Sequence, residues 1–260
     1  MQLARRERSL GKLSVPLQFA CWLLPASRIK NRLLNWFGHG IAPTASIGPT
    51  LALGVKKFHA GENVRIALFN VFRDISNAWL DDYVIIESWN WISAHPIFQT
   101  VDPGAGTLYM GIRAKIGSRN YLDCSGTIAV REFGTLGGNR CLLQTHQPDF
   151  QHDRQTAGRI TVGSHAFVGS GAVMLKGASL PDRSILAANS TMTRASAPKG
   201  KRGLYAGSPA MWRQESDGDY FDRATYVMTD HIVDGPMGVL EVDTAGRDQI
   251  RIVDGPGNSD

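Results

Sequence analysis

The sequence predicts a mainly β protein built as a solenoid, and three observations predict it. Val168, Met174, Leu180, Leu186 and Met192 are all apolar, and each stands six residues from the next. A period of six fits neither an amphipathic helix nor an alternating strand, but it fits a coil in which each hexapeptide forms one flat wall. Around those positions the second slot is small or turn-forming (Gly169, Pro181, Ala187, with Leu175 the exception) and the fifth is small (Ala172, Ala178, Ser184, Ser190). Two bulky side chains cannot share a narrow, densely packed interior, so this restriction is what a prism requires. Finally, 28 glycines suit a fold made of many corners.

The chain opens with Arg5, Arg6, Arg8 and Lys12 ahead of an apolar run over 13–25, the outline of a signal peptide. Pro16, Gln18 and Pro25 interrupt that run, and no small-x-small cleavage pattern follows it. It also falls short of the roughly 20 apolar residues that span a bilayer. The segment is therefore read as uncleaved. From Ser27 to Phe37 the spacing predicts a helix ended by Gly38, with Ile29, Leu33 and Phe37 four apart and Leu34 and Trp36 alongside. Arg28, Lys30 and Arg32 fall mostly on the other side. Such a helix either rests on an anionic membrane surface or packs across the open end of the solenoid. Residues 1–40 make up this basic N-terminal segment.

Coils begin at Ile41, where Ile41-Ala-Pro-Thr-Ala-Ser and Ile47-Gly-Pro-Thr-Leu-Ala form two units in register. The pattern is degraded but visible at Ile66, Leu80, Ile86 and Ile92, and it firms again at Ile116, Leu122 and Ile128. The solenoid thus covers 41–213. Two stretches break it, near 95–106 and 147–159, and insertions in a repeat array are expelled as loops on one face, often the binding face. In the extension 214–260, Val239, Val242 and Ile250 to Val253 alternate about Thr244-Ala-Gly-Arg, which predicts a β-hairpin.

At 260 residues and 43% hydrophobic, the chain can bury one sizeable core, so one main domain is expected. Its net charge of +5 hides an asymmetry: residues 1–40 carry seven Lys or Arg against Glu7, and residues 214–260 carry eleven Asp or Glu against three Arg. The basic end suits an acidic surface and the acidic end favours solubility or a basic neighbour; plain solvation explains both equally. Cys21, Cys124 and Cys141 are too few and scattered for a disulfide framework or a cysteine zinc site, which points to a reducing, cytoplasmic compartment. No Walker loop, dinucleotide fingerprint, CxxC or RNA-binding aromatic motif occurs, so no nucleic-acid partner is expected.

The run 160–177 (Ile160-Thr-Val-Gly-Ser-His-Ala-Phe-Val-Gly-Ser-Gly-Ala-Val-Met-Leu-Lys-Gly), then Leu180-Pro-Asp-Arg-Ser, Ala188-Asn-Ser and Leu204-Tyr-Ala-Gly-Ser-Pro-Ala, resembles the left-handed β-helix acyltransferases. The likeness is to their acetyl-CoA-dependent branch, which modifies sugars and small alcohols or amines; it covers 136–213 and weakens upstream. It implies a left-handed parallel β-helix, acetyl-CoA as donor, no metal, and a homotrimer with active sites between adjacent prisms. The expected reaction is O-acetylation of a saccharide or glycan precursor.

Acyl transfer from a thioester to a hydroxyl needs a base, and an imidazole with pKa near 6.5 is neutral at cell pH yet able to take a proton. His146, in Leu142-Leu-Gln-Thr-His-Gln-Pro, stands where the coil gives way to the second insertion, 22 residues before Val168. That position matches the general base of the family. Asp149 or Asp153, in the same loop as His152, is a candidate to orient it. The resemblance also carries Tyr121 and Asp123 over as acceptor-binding residues, with Asp in place of the commoner Asn. Glu87, Trp89, Trp91 and His95 offer a sugar-stacking wall or, equally, a trimer contact. For the coenzyme, Gly169, Ser170 and Gly177 keep the wall low. Lys199, Lys201 and Arg202 suit its phosphates, and Phe167 stands where the family often has Trp.

Two other readings compete. A γ-carbonic-anhydrase-like zinc enzyme would need three converging ligands, and His95, His146 and His152 are available. An inactive binding or scaffold protein is the other, since fold alone does not prove function. A carrier-protein donor also remains open, as does contact of the N-terminal helix with the inner face of the membrane.

Overall fold

A computed structural model describes residues 15–197 and 199–225, and the backbone of strands at 234–235, 238–242 and 250–253. Two compact units divide the chain between Arg223 and Ala224. In the first, three parallel sheets form the faces of a prism. Each coil lays one strand on each face in turn, as Asn77–Leu80 does on face 1, Ile85–Ile86 on face 2 and Trp91–Ser93 on face 3. Seven such coils run from Gly40 to Met192.

The hexad residues Val168, Met174, Leu180, Leu186 and Met192 all point inward and are fully buried. Each is worth about 1.5–3 kcal/mol of burial relative to exposure. The degraded stretch has a simple cause. At the last coil the register steps by 18 residues, Thr161 pairing with Ser179, but earlier Lys57 pairs with Asn77 and Thr107 with Thr127, a step of 20. The two extra residues sit on face 1, whose strands present an inward pair such as Ala78 and Leu80, or Ile128 and Val130. In coils such as that of Leu80, Ile86 and Ile92 or that of Met110, Ile116 and Leu122, the hexads therefore persist on two sides and slip on the third.

Both insertions leave at the same edge, where face 3 turns into face 1. The first carries a short 3₁₀ helix, Pro96–Thr100, and the second is not a loop but an antiparallel hairpin, His146–Asp149 with Arg154–Ala157.

The helix Arg28–Trp36, capped by the Ser27 side chain accepting from Lys30 N at 3.1 Å, lies across the first coil. Of the apolar side expected from the spacing, Leu34 is buried and Leu33 and Phe37 pack partly buried against the core, but the face also takes in polar residues and leaves out Ile29 and Trp36. Lys30, Asn31 and Leu34 are buried, while Ile29 and Trp36 are 67% and 76% exposed. The cause is the open end of the solenoid, where carbonyls of the first coil need donors. Lys30 Nζ lies 2.8–3.0 Å from the carbonyls of Trp22, Leu24, Ile47 and Gly48, and Asn31 Nδ2 donates to Ala42 and Ala45. Asn35 exchanges bonds with Ile41. Burial pushes the Lys30 ammonium down to about 8, which leaves it protonated at neutral pH.

At the other end, strands Leu204–Gly207 and Ala210–Gln214 complete face 2. Residues beyond them fold back, with Arg183 Nη1 on Asp222 Oδ1 at 2.7 Å and Phe221 buried. In the second unit Gly238–Val242 pairs antiparallel with Ile250–Val253, the hairpin expected there. Among the described residues no helix is long and apolar enough to cross a membrane.

Candidate active site

His146 begins the hairpin, and its ring turns back onto the coil. Its Nδ1 lies 2.7 Å from Oδ2 of Asp123, which sits one coil below. An ionised carboxylate only accepts, so Nδ1 carries the proton and Nε2 keeps its lone pair. Asp123 is itself buried and surrounded by donors: Ser125 N at 3.1 Å and Ser125 Oγ on Oδ1, with Thr145 N at 3.0 Å, Thr145 Oγ1 at 3.2 Å and His146 N at 3.1 Å on Oδ2. Burial alone would raise the Asp123 pKa; the bonds from Ser125 and His146 together outweigh it and hold the carboxyl below its usual range. The partner of His146 is thus Asp123. Asp149 instead accepts from Arg154 Nε at 2.9 Å and His152 Nδ1 at 3.0 Å, and Asp153 lies in the hairpin turn.

A cavity of about 470 Å³ opens beside this pair. His146, Asp123, Tyr121 and His95 line it, as do Trp91, Arg73, Asp74 and Ser125. Trp91 and Tyr121 are register neighbours on face 3, with ring planes 5° apart and centroids 6.4 Å apart. His95 enters through the first insertion: its N–H donates to Ser125 Oγ at 2.9 Å, which ties that loop to Asp123. Glu87 and Trp89 stand elsewhere, at the edge between faces 2 and 3. Trp89 occupies a left-handed corner (φ 67°) and packs on Phe69, and Glu87 pairs with Lys115 at 3.4 Å.

No family model and no curated protein matches the chain. Among solved structures, the polysialic acid O-acetyltransferase OatWY is 15% identical, with 74% of this chain and 90% of that chain covered and a TM-score of 0.50. A Bacillus cereus N-acyltransferase, AntD, in complex with dTDP and coenzyme A, is 13% identical over 74% of this chain and 91% of its own, with a TM-score of 0.40. The polySia-specific acetyltransferase NeuO is 12% identical over 70% and 91%, with a TM-score of 0.33. The fold is the left-handed β-helix.

Along this β-helix the residues expected to hold a coenzyme divide between two edges. Gly177 lies on the His146 edge, one coil above, with φ +82° and the Arg194 side chain 3.2 Å from where its Cβ would be. Lys176 precedes it and donates to Thr156 of the hairpin. Beyond Arg194 the chain enters the 199–202 loop. There Lys201 Nζ sits 3.4 Å from the Trp212 ring centroid and Arg202 pairs with Asp217 at 3.2 Å, whereas Lys199 has no ion pair among the described residues. Gly169 and Ser170 occupy the opposite edge of face 3, and Phe167 packs on face 2 against Tyr220. Sequence reasoning missed Arg73, Asp74, Ser125, Lys176 and Arg194. Among the described residues no three His, Cys, Asp or Glu are grouped to hold a metal. His95, His146 and His152 are therefore not brought together as the zinc set considered from sequence would require.

Proposed function

We propose that this protein is an acetyl-CoA-dependent O-acetyltransferase acting on a hydroxyl of a saccharide or glycan precursor. The observation that carries the reading is the Asp123–His146 pair at the wall of a cavity, with one imidazole nitrogen fixed as a donor and the other left as a base. His146 Nε2 takes the proton of the acceptor hydroxyl as that oxygen bonds to the thioester carbonyl carbon. When the carbon–sulfur bond breaks, the His146 imidazolium gives the proton to the departing thiolate. Asp123 stabilises the imidazolium in between. Trp91 and Tyr121 offer the acceptor an aromatic wall, His95 and Arg73 offer it polar contacts, and Lys176, Gly177, Arg194 and Lys199 mark the path of the coenzyme.

The working form in this reading is a homotrimer. Within one chain His146 lies on one edge of face 3 and Gly169 and Ser170 on the other, so they share a site only across a subunit boundary. Two features support it: an outward stripe of register neighbours on face 3, Leu51, Val71, Trp91, Tyr121, Leu142 and Val173, and Phe150, 92% exposed at the hairpin tip. The exposed apolar residues of the N-terminal cap favour a peripheral contact with the inner face of a membrane.

Calorimetric titration with acetyl-CoA at two salt concentrations tests the donor. Saturable binding near one site per chain, weakened by salt, is expected from phosphate contacts with exposed cations. His146→Ala should abolish turnover and leave that binding intact; unchanged turnover would remove His146 from the mechanism.

A further inference from the structure

The cavity beside His146 has a second one next to it. This second space, about 320 Å³, is walled by Val15 and Phe19 of the helical stretch 15–23, by Leu53 and Val55 of the first coil, and by Pro96 of the first insertion. Asp74 and Pro96 line both cavities, so the two meet there. Most polar side chains of the second wall already have partners. Gln18 Nε2 bonds His39 Nε2 at 2.6 Å, Gln99 Nε2 donates to the Asp74 carbonyl at 2.6 Å, and Asp74 accepts from Arg73 Nε at 3.2 Å. What the wall offers a ligand is mainly apolar surface, with Lys56 and the remaining acceptor oxygens of Asp74, Gln18 and Gln99 as its polar points. Along the apolar part, sugar hydroxyls would lose water without gaining a partner, whereas a hydrocarbon chain gains by leaving water.

The placement along the β-helix agrees. His146 belongs to the fifth coil and Leu53 to the first, four steps of about 4.8 Å, or roughly 19 Å, away. At that end the cap projects Val15, Leu17, Ile29 and Trp36, exposed by 60%, 52%, 67% and 76%. From Arg8 to Gly61 the sequence holds seven Lys or Arg and no Asp or Glu. Among the described residues, the exposed Arg28 and Arg32 flank the projecting Ile29 on the cap helix, an arrangement that suits the bilayer surface from which a lipid-borne acceptor would rise.

We infer that the acceptor is amphipathic, a saccharide joined to an apolar chain, with the sugar beside His146 and the chain in the cavity walled by Leu53. Only the placement of the sugar end rests on the acyl-transfer reading. Calorimetric titration of the full-length protein with octyl and methyl glycosides of a panel of hexoses, kept below the micelle concentration, reads the cavity without turnover. The octyl glycoside of at least one hexose should bind near one per chain and roughly ten-fold or more tighter than its methyl counterpart, as burying about two methylenes would give. Leu53→Glu, at a position 47% exposed and outside the core, should shrink that ratio towards one. Equal binding of the two glycosides, or octyl binding that Leu53→Glu leaves unchanged, overturns the inference. Release of the coenzyme thiol, followed separately, reports on transfer: octyl-glycoside binding without turnover on any hexose would uphold the amphipathic ligand and sink the transferase reading.

Discussion

Replacing Asp123 by Asn keeps the shape of the side chain and removes its charge. In the wild type, Oδ1 accepts from Ser125 N and Oγ, and Oδ2 accepts from Thr145 and His146, with the His146 Nδ1 bond at 2.7 Å. An amide has one acceptor oxygen. If it faces His146, its NH₂ meets the Ser125 N–H donor to donor and leaves a buried group unpaired, at about 1–3 kcal/mol. Weakening a charged hydrogen bond to a neutral one adds about 1 kcal/mol, so a loss of roughly 2–4 kcal/mol in unfolding free energy is expected. The Asp123 carboxyl is held below its unfolded value of 3.8, so its contribution is present above that value and is lost as pH falls through the lower, folded one. Urea titrations should therefore separate variant from wild type at neutral pH and converge in acid. Catalysis should suffer more, because the imidazolium loses its counter-charge: a fall in kcat of about 10²–10⁴ is the scale for losing such a carboxylate. Thiol release measures kcat, and ¹⁵N shifts of the His146 ring report its tautomer without turnover. A variant within about three-fold of wild-type kcat, or a wild-type ring protonated on Nε2 alone, would refute the dyad.

Three further outcomes follow from neighbouring contacts. Ser125→Ala removes the hydroxyl that links the His95 backbone to Asp123; kcat should fall about ten-fold with little change in KM, and Ser125→Thr should restore part of it. Trp91→Ala removes half of the aromatic wall, and acceptor KM should rise about ten-fold while acetyl-CoA affinity, read by calorimetry, stays unchanged. Lys30→Met strips donors from four backbone carbonyls, and with at least 1 kcal/mol for each of about three bonds, thermal unfolding should lose about 3 kcal/mol or more.

The solenoid was legible because from Val168 to Met192 each wall presents one large inward side chain at a step of six without interruption. Upstream it blurred for a reason that is itself regular. Read at a step of 20, and of 30 across the first insertion, Asn70, Asn90 and Asn120 fall into a buried ladder in which each later Asn N–H donates to the Asn below. His146 stood out in the sequence because the hairpin interrupts the repeat beside it. Asp149 and Asp153 were candidates to orient it because they are near in sequence, whereas Asp123 is near in space, one coil down. Trp89 misled for a similar reason: it stands two places before Trp91, yet it occupies the corner between faces 2 and 3 while Trp91 lies on face 3.

A β-helix is a stack of strands with two raw ends, and a raw end will accept a strand from any other chain. At the N-terminal end of this molecule the carbonyls of Ile41, Ala42, Ala45, Ile47 and Gly48 are occupied by Asn35, Asn31 and Lys30. Three side chains on the polar side of a nine-residue helix therefore close the template on which a fibre would otherwise grow.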